Sequence, residues 1–259
     1  MWFDEATVEM VTEVTPLWAA IVLLLVGYLG SVYFVAPTVA LAYFKGTSWK
    51  TATWPGIVLG GYGLFATIKS ALHIERPPVD PPFPAETFPL VLRPLYHLAV
   101  QFDTGAFPSG HVLIATVLWG LLVVDLQVRT VWERLAGAAV VVILIGYSRV
   151  ALGLHYVDDV VGGVVLGTLF LGLMLFVRQR ASTPANATLL VAFVPVVAGF
   201  PAGTPLEAGA LLTALVTVYL LNQYTTVVSQ ERLAGQTPAE SQSQASRTVD
   251  PQFDDRRVR

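Results

Sequence analysis

Seven long, mostly apolar stretches constrain this chain more than any other feature of it. They cover residues 17–44, 54–73, 109–127, 131–148, 159–177, 187–200 and 205–221. Most approach the roughly 20 residues that a helix needs to cross a hydrocarbon core. A backbone in lipid must satisfy its own N–H and C=O groups, which leaves helices or a closed barrel. Barrel strands alternate apolar and polar residues, and these runs do not. The expected fold is therefore all-α: a polytopic transmembrane helical bundle of six to seven spans. Composition agrees, with 54% hydrophobic and 13% charged residues, where a soluble domain has about 25% charged. Pro37 is expected to break the first run and Pro195 to reduce the sixth to a partial span, because proline cannot donate its N–H.

The segments outside the runs have distinct chemistry. Residues 1–16 are acidic (Asp4, Glu5, Glu9, Glu13) and lack a basic leader region, so the first run is expected to stay as a membrane helix. Residues 76–107 form an outer loop whose stretch 76–96 carries seven prolines, which predicts a stiff, extended path. Residues 229–259 are polar and rich in Gln and Ser, which predicts a disordered tail. The membrane domain is expected over 17–228, with its functional core at about 54–177. The chain has no cysteine, so disulfides, Cys-ligated metals and a Cys nucleophile are excluded. A net charge of −3 without a basic patch gives no reason to expect nucleic acid, and no protein partner is indicated.

Basic residues orient the spans. Lys45, Lys50, Arg129, Arg134, Arg178, Arg180 and the basic residues of the tail all fall on one side of a seven-span chain. The positive-inside rule makes that side cytoplasmic. The N-terminus and the proline-rich loop then face outward in the cell membrane.

Against that frame, an unusual set of polar residues collects at the outer ends of the spans. The second run ends KSALHIERPP with Lys69 and Arg76; the third begins FPSGH with Ser109, Gly110 and His111; the fourth ends SRVALGLHYVDD with Arg149, His155 and Asp159. Ionisable groups at a bilayer face are costly, and a cluster of them is a functional hypothesis by default. Lys69 and Arg76 lie two helical turns apart and share a face if the helix runs that far. Ser109 and Gly110 follow Pro108 at a helix start, where free N–H groups attract an anion. His155 and Asp159 stand one turn apart, so the carboxylate can fix the imidazole tautomer and leave the other nitrogen free. Three cations, a helix N-terminus and two histidines suit a phosphoryl group. The cations neutralise its oxygens, one histidine attacks phosphorus and the other protonates the leaving oxygen. A lone Lys or Arg near a helix end more often snorkels to the interface, but independent accidents would scatter over both faces.

These three stretches resemble the tripartite signature of the type 2 phosphatidic acid phosphatase superfamily, K-x6-RP, PSGH and SR-x5-H-x3-D. KSALHIERP, PSGH and SRVALGLHYVDD match it without substitution and in order. The resemblance implies a metal-independent membrane phosphatase with no cofactor and no metal ligands. In it, His155 is the nucleophile, Asp159 orients it and His111 is the general acid, while Lys69, Arg76, Ser109, Gly110 and Arg149 bind phosphate. The implied substrate is a lipid phosphomonoester or diphosphate processed at the outer face: an isoprenoid diphosphate, slightly favoured by that topology, or phosphatidate or phosphatidylglycerophosphate. A lipid phosphotransferase on the same site is the nearest alternative. A transporter or a non-catalytic membrane protein is more distant, since the mid-span regions are nearly free of charge.

Overall fold

The computed structural model describes residues 3–46, 48–100, 104–198 and 205–235. Among them the regular structure is helical throughout: α1 (Glu5–Glu13), α2 (Leu17–Gly27), α3 (Val32–Lys45), α4 (Trp54–Leu72), α5 (Arg93–Val100), α6 (Gly110–Asp125), α7 (Val131–Ala151), α8 (Val157–Arg180), α9 (Pro184–Ala198) and α10 (Pro205–Gly235). The chain divides into two units, Met1–Val218 and Tyr219–Arg259. The described part of the second is the helical stretch ending at Gly235. That helix passes the expected tail boundary at 229, as QERLA consists of good helix formers. Residues 236–259 lie outside the described residues.

Two further expectations are corrected. The first apolar run breaks at the 3-10 turn Tyr28–Gly30 and the extended Ser31, not at Pro37, which sits inside α3. Gly27, Gly30 and Ser31 are the weaker helix positions, while Pro37 near the helix start removes one intrahelical bond only. The proline-rich loop is not simply extended. It holds two 3-10 turns, Ala85–Thr87 and Leu90–Leu92, and then α5. Pro94 stands in the first turn of α5, where its missing N–H costs nothing, and Tyr96 and Ala99 bury one face against Ala20, Leu24, Phe88, Leu152 and Leu154. The acidic N-terminus, whose local structure the sequence left open, forms α1, which turns by 118° into α2 around Pro16.

α7 and α8 are long and apolar enough to cross a membrane; α3, α6 and α9 are apolar but shorter. α7 begins with a capping box between Thr130 and Glu133. The lipid-compatible surface is explicit, with Val140, Ile143, Leu169, Leu173, Phe176, Leu190 and Phe193 exposed along α7, α8 and α9. The main core joins α3, α4, α6 and α8 through Val35, Ile57, Leu113, Leu118, Phe170 and Met174. Small residues let α4 and α9 approach closely, as transmembrane helices do without a hydrophobic force between them. A Cβ on Gly60 would stand 3.0 Å from that of Ala192.

The two ends of this bundle differ. At one end Arg178 of α8 donates to both oxygens of Asp125 of α6, at 2.7 and 3.0 Å. The Trp54 indole adds a bond of 2.8 Å to the same carboxylate. The other end gathers the C-terminus of α4, the N-terminus of α6 and the α7–α8 connection.

Candidate active site

α4 stops at Leu72 because His73 takes a left-handed conformation, φ 49°, its N–H bonding to Lys69 O. The helix ends within a residue of the expected run 54–73 and does not carry Arg76, so the face that a longer helix would have let Lys69 and Arg76 share does not form. Arg76 arrives on extended backbone instead, as the following proline favours. Loop carbonyls hold both side chains. Lys69 Nζ donates to Gly105 O at 2.7 Å. Arg76 donates to Thr104 O at 2.9 Å and to Leu154 O at 2.8 Å. These carbonyls were not legible as site elements, since nothing local to them signals the contact.

Ser109 is the N-cap of α6, and its N–H bonds to the Asp159 carbonyl at 3.0 Å, joining the starts of α6 and α8. Its hydroxyl makes no capping bond and is buried without a partner among the described residues. A Cβ on Gly110 would stand 3.2 Å from the Phe65 ring. The open side of this glycine is therefore bounded by an aromatic wall from α4.

α7 runs one turn further than expected, which puts Arg149 in its last turn, 1% exposed. Its Nε donates to Ser148 Oγ at 3.1 Å, and its Nη2 is buried with no partner among the described residues. After α7 the chain reverses through Gly153, whose φ of +72° favours glycine, so that Leu154 N bonds back to Arg149 O at 2.9 Å. His155 and Asp159 follow, 3% and 0% exposed. One carboxylate oxygen of Asp159 accepts from the Tyr156 N–H at 2.9 Å and lies 3.0 Å from His155 Nδ1. That bond fixes Nδ1 as the protonated nitrogen and leaves Nε2 its lone pair.

All eight residues singled out by sequence thus meet at one end of the bundle, and the electrostatics follow from burial. His155 is held well below its ordinary pKa, first by desolvation and then by Arg76, Lys69 and Arg149, so its imidazole stays neutral at neutral pH. Burial brings Arg76 down to about 10, with Asp159 opposing the shift, so it remains a cation. Among the described residues no three His, Asp or Glu converge as metal ligands. His97 is exposed on α5, away from these contacts. Arg93 serves the loop, donating to Glu86 O at 2.8 Å and Phe88 O at 3.1 Å. Asp158 accepts from the Phe3 N–H at 2.6 Å, which anchors the N-terminus at the start of α8.

An apolar helical bundle with a buried imidazole–carboxylate pair near three cations at one end defines a class, the integral membrane protein. The chain belongs to the PAP2 superfamily, whose family model matches residues 51–183, and it is a phosphoric ester hydrolase. It is 29% identical over 175 residues to phosphatidylglycerophosphatase B of Bacillus subtilis (strain 168), covering 64% of this chain and 78% of that protein. It is 38% identical over 80 residues to lipid phosphate phosphatase delta of Arabidopsis thaliana, covering 28% of this chain and 19% of that protein. The crystal structure of a transmembrane PAP2-type phosphatidylglycerolphosphate phosphatase from Bacillus subtilis is similar with a TM-score of 0.54 and 25% identity, covering 69% of this chain and 86% of that one.

Proposed function

We propose that the protein removes the terminal phosphate of a membrane lipid phosphomonoester, with phosphatidylglycerophosphate the favoured substrate, through a phosphohistidine at His155. The observation that carries the mechanism is the buried His155–Asp159 pair at 3.0 Å, facing Lys69, Arg76 and Arg149. The lone pair of His155 Nε2 attacks phosphorus, and the bond from phosphorus to the lipid oxygen breaks. His111 gives its proton to that oxygen, so the lipid leaves as a neutral alcohol. His111 then takes a proton from water, whose oxygen attacks phosphorus and breaks the P–N bond, returning His155 neutral and releasing inorganic phosphate. The guanidinium groups, the Lys69 ammonium and the donors at the start of α6 receive the equatorial oxygens, where charge must be stabilised. Asp159 holds the tautomer and offsets the positive charge that the ring gains.

The names of the bacterial relatives favour phosphatidylglycerophosphate over the isoprenoid diphosphate that topology alone suggested. The test is phosphate release by the purified protein in detergent with EDTA present. The substrates are phosphatidylglycerophosphate, phosphatidate, a prenyl diphosphate and a soluble ester, beside a His155→Ala control. Fastest release from phosphatidylglycerophosphate, lost in the control, is expected. Faster release from the prenyl diphosphate overturns the substrate, and release surviving in His155→Ala overturns the nucleophile. Product transferred to an added lipid alcohol instead of water makes the protein a phosphotransferase. Radiolabelled substrate should leave an acid-labile, base-stable label on the protein. We further propose that the site faces outward. The chain has no cysteine, so Leu90→Cys in the exposed loop should react with an impermeant maleimide added to intact cells; labelling only after lysis reverses the orientation.

A further inference from the structure

We propose that the turn Gly27–Gly30, which precedes the region matched by the family model, is a positioning element of this active site. Gly27 seats the Arg149 guanidinium and Gly30 seats the first turn of α6 at His111. The inference rests on reading Arg149 as a phosphate ligand.

Arg149 is buried, and its Nε donates to its own neighbour, Ser148. Its guanidinium lies against Gly27. A Cβ there would stand 1.8 Å from Nη2, 2.8 Å from Cζ and 3.0 Å from Ser148 Oγ. Real Cβ atoms do not approach so closely, and a buried guanidinium has little room to retreat, because interiors are close-packed. Three residues on, a Cβ at Gly30 would stand 2.6 Å from the carbonyl oxygen of His111 and 3.3 Å from its carbon. That neighbour is helix backbone, which cannot rotate aside. The turn is itself fastened. The Tyr28 hydroxyl donates to Leu95 O of α5 at 2.7 Å, and Ser31 Oγ donates to Tyr28 O at 2.9 Å. The missing side chains at 27 and 30 therefore set where a phosphate-binding cation and the catalytic-acid residue rest. Gly137 of α7 and Gly172 of α8 have nothing within 4 Å of an added Cβ, which makes them matched controls.

The experiment measures inhibition by inorganic phosphate together with kcat and KM on a lipid phosphate. In Gly27→Ala the inhibition constant for phosphate should rise about ten- to a hundredfold, the loss of one charge-assisted bond. Gly30→Ala should lower kcat with a smaller change in that constant. Gly137→Ala and Gly172→Ala should match wild type. In an Arg149→Ala background, adding Gly27→Ala should change neither parameter further, because the group it displaces is gone. An unchanged constant in Gly27→Ala overturns the proposal, as does an equal penalty in both backgrounds or an equal shift in the controls. If Gly27→Ala does not fold, recovery of folding on adding Arg149→Ala supports the proposal, and no recovery overturns it. A wild-type protein that neither binds phosphate nor releases it from any lipid phosphate refutes the proposed function instead.

Discussion

Arg149 and Arg178 stand at opposite ends of the bundle, both buried, at 1% and 3% exposure, and the protein treats them in opposite ways. Arg178 is matched by a carboxylate on two nitrogens, with the Trp49 ring 5.9 Å from its Cζ. Each arginine has one buried nitrogen without a hydrogen-bond partner among the described residues, but Arg149 has no ion pair among them to match its charge. A buried charge left without a partner costs stability. Evolution tolerates that cost where the partner is a ligand, and functional sites are where local rules are broken. The difference separates the end that locks the helices from the end we propose to bind the phosphoryl group.

The largest expected effect breaks the lock. Arg178→Ala strands the buried Asp125 carboxylate and should destabilise the protein by about 3–5 kcal/mol, seen as a lower thermal midpoint in detergent. kcat of the protein that remains folded should stay near wild type. Replacing both partners with apolar residues, Asp125→Leu with Arg178→Met, should restore most of that stability. A paired variant no more stable than Arg178→Ala would show that the charges do more than satisfy each other.

The mirror experiment removes the unmatched cation. Arg149→Ala should lower kcat/KM by roughly 10²–10³-fold, the order seen for one donor to a developing charge. Its thermal midpoint should not fall as that of Arg178→Ala does, because no buried carboxylate is abandoned. Inorganic phosphate should raise the wild-type midpoint through linkage and leave that of Arg149→Ala unmoved.

The pH profile sharpens the same contrast. His155 must be neutral to attack, and its pKa is depressed by burial, then by Arg76, Lys69 and Arg149. The acid limb of kcat/KM due to this group should therefore lie well below 6.5. Removing a neighbouring cation favours the imidazolium and raises the pKa, so Arg76→Gln should move that limb to higher pH. Arg178→Met with Asp125→Leu, at the far end, should leave it in place. Limbs that coincide in all three proteins would detach the cations from His155.

The smallest effect is expected at a third arginine, satisfied by backbone alone. Arg93→Ala removes the bonds to Glu86 O and Phe88 O. It should speed proteolysis within the 76–107 segment and leave kcat/KM on phosphatidylglycerophosphate unchanged.

The candidate site residues were legible because each stands near an element end that local chemistry marks. Pro77 follows Arg76, Pro108 and Ser109 open α6, and the His155–Asp159 spacing is one helical turn. Less of the framework was legible. The Pro37 break and the extended proline loop are each reasonable on local propensity, and tertiary contacts override them. α5 folds where one face covers Ala20 and Leu24. Lys69 and Arg76 converge through the carbonyls of Gly105, Thr104 and Leu154, not through a helix.

By itself the sequence determined an all-helical membrane protein and the seven polar residues that collect with Gly110 at one end, because hydropathy, helix-end chemistry and motif spacing are properties of neighbouring residues. Only the tertiary structure decided which buried arginine is matched and which is held open. The residues that make that choice, Asp125 for Arg178 and Gly27 for Arg149, lie far along the chain from the groups they control. Charge pairing and steric exclusion act through space, and no local pattern encodes them.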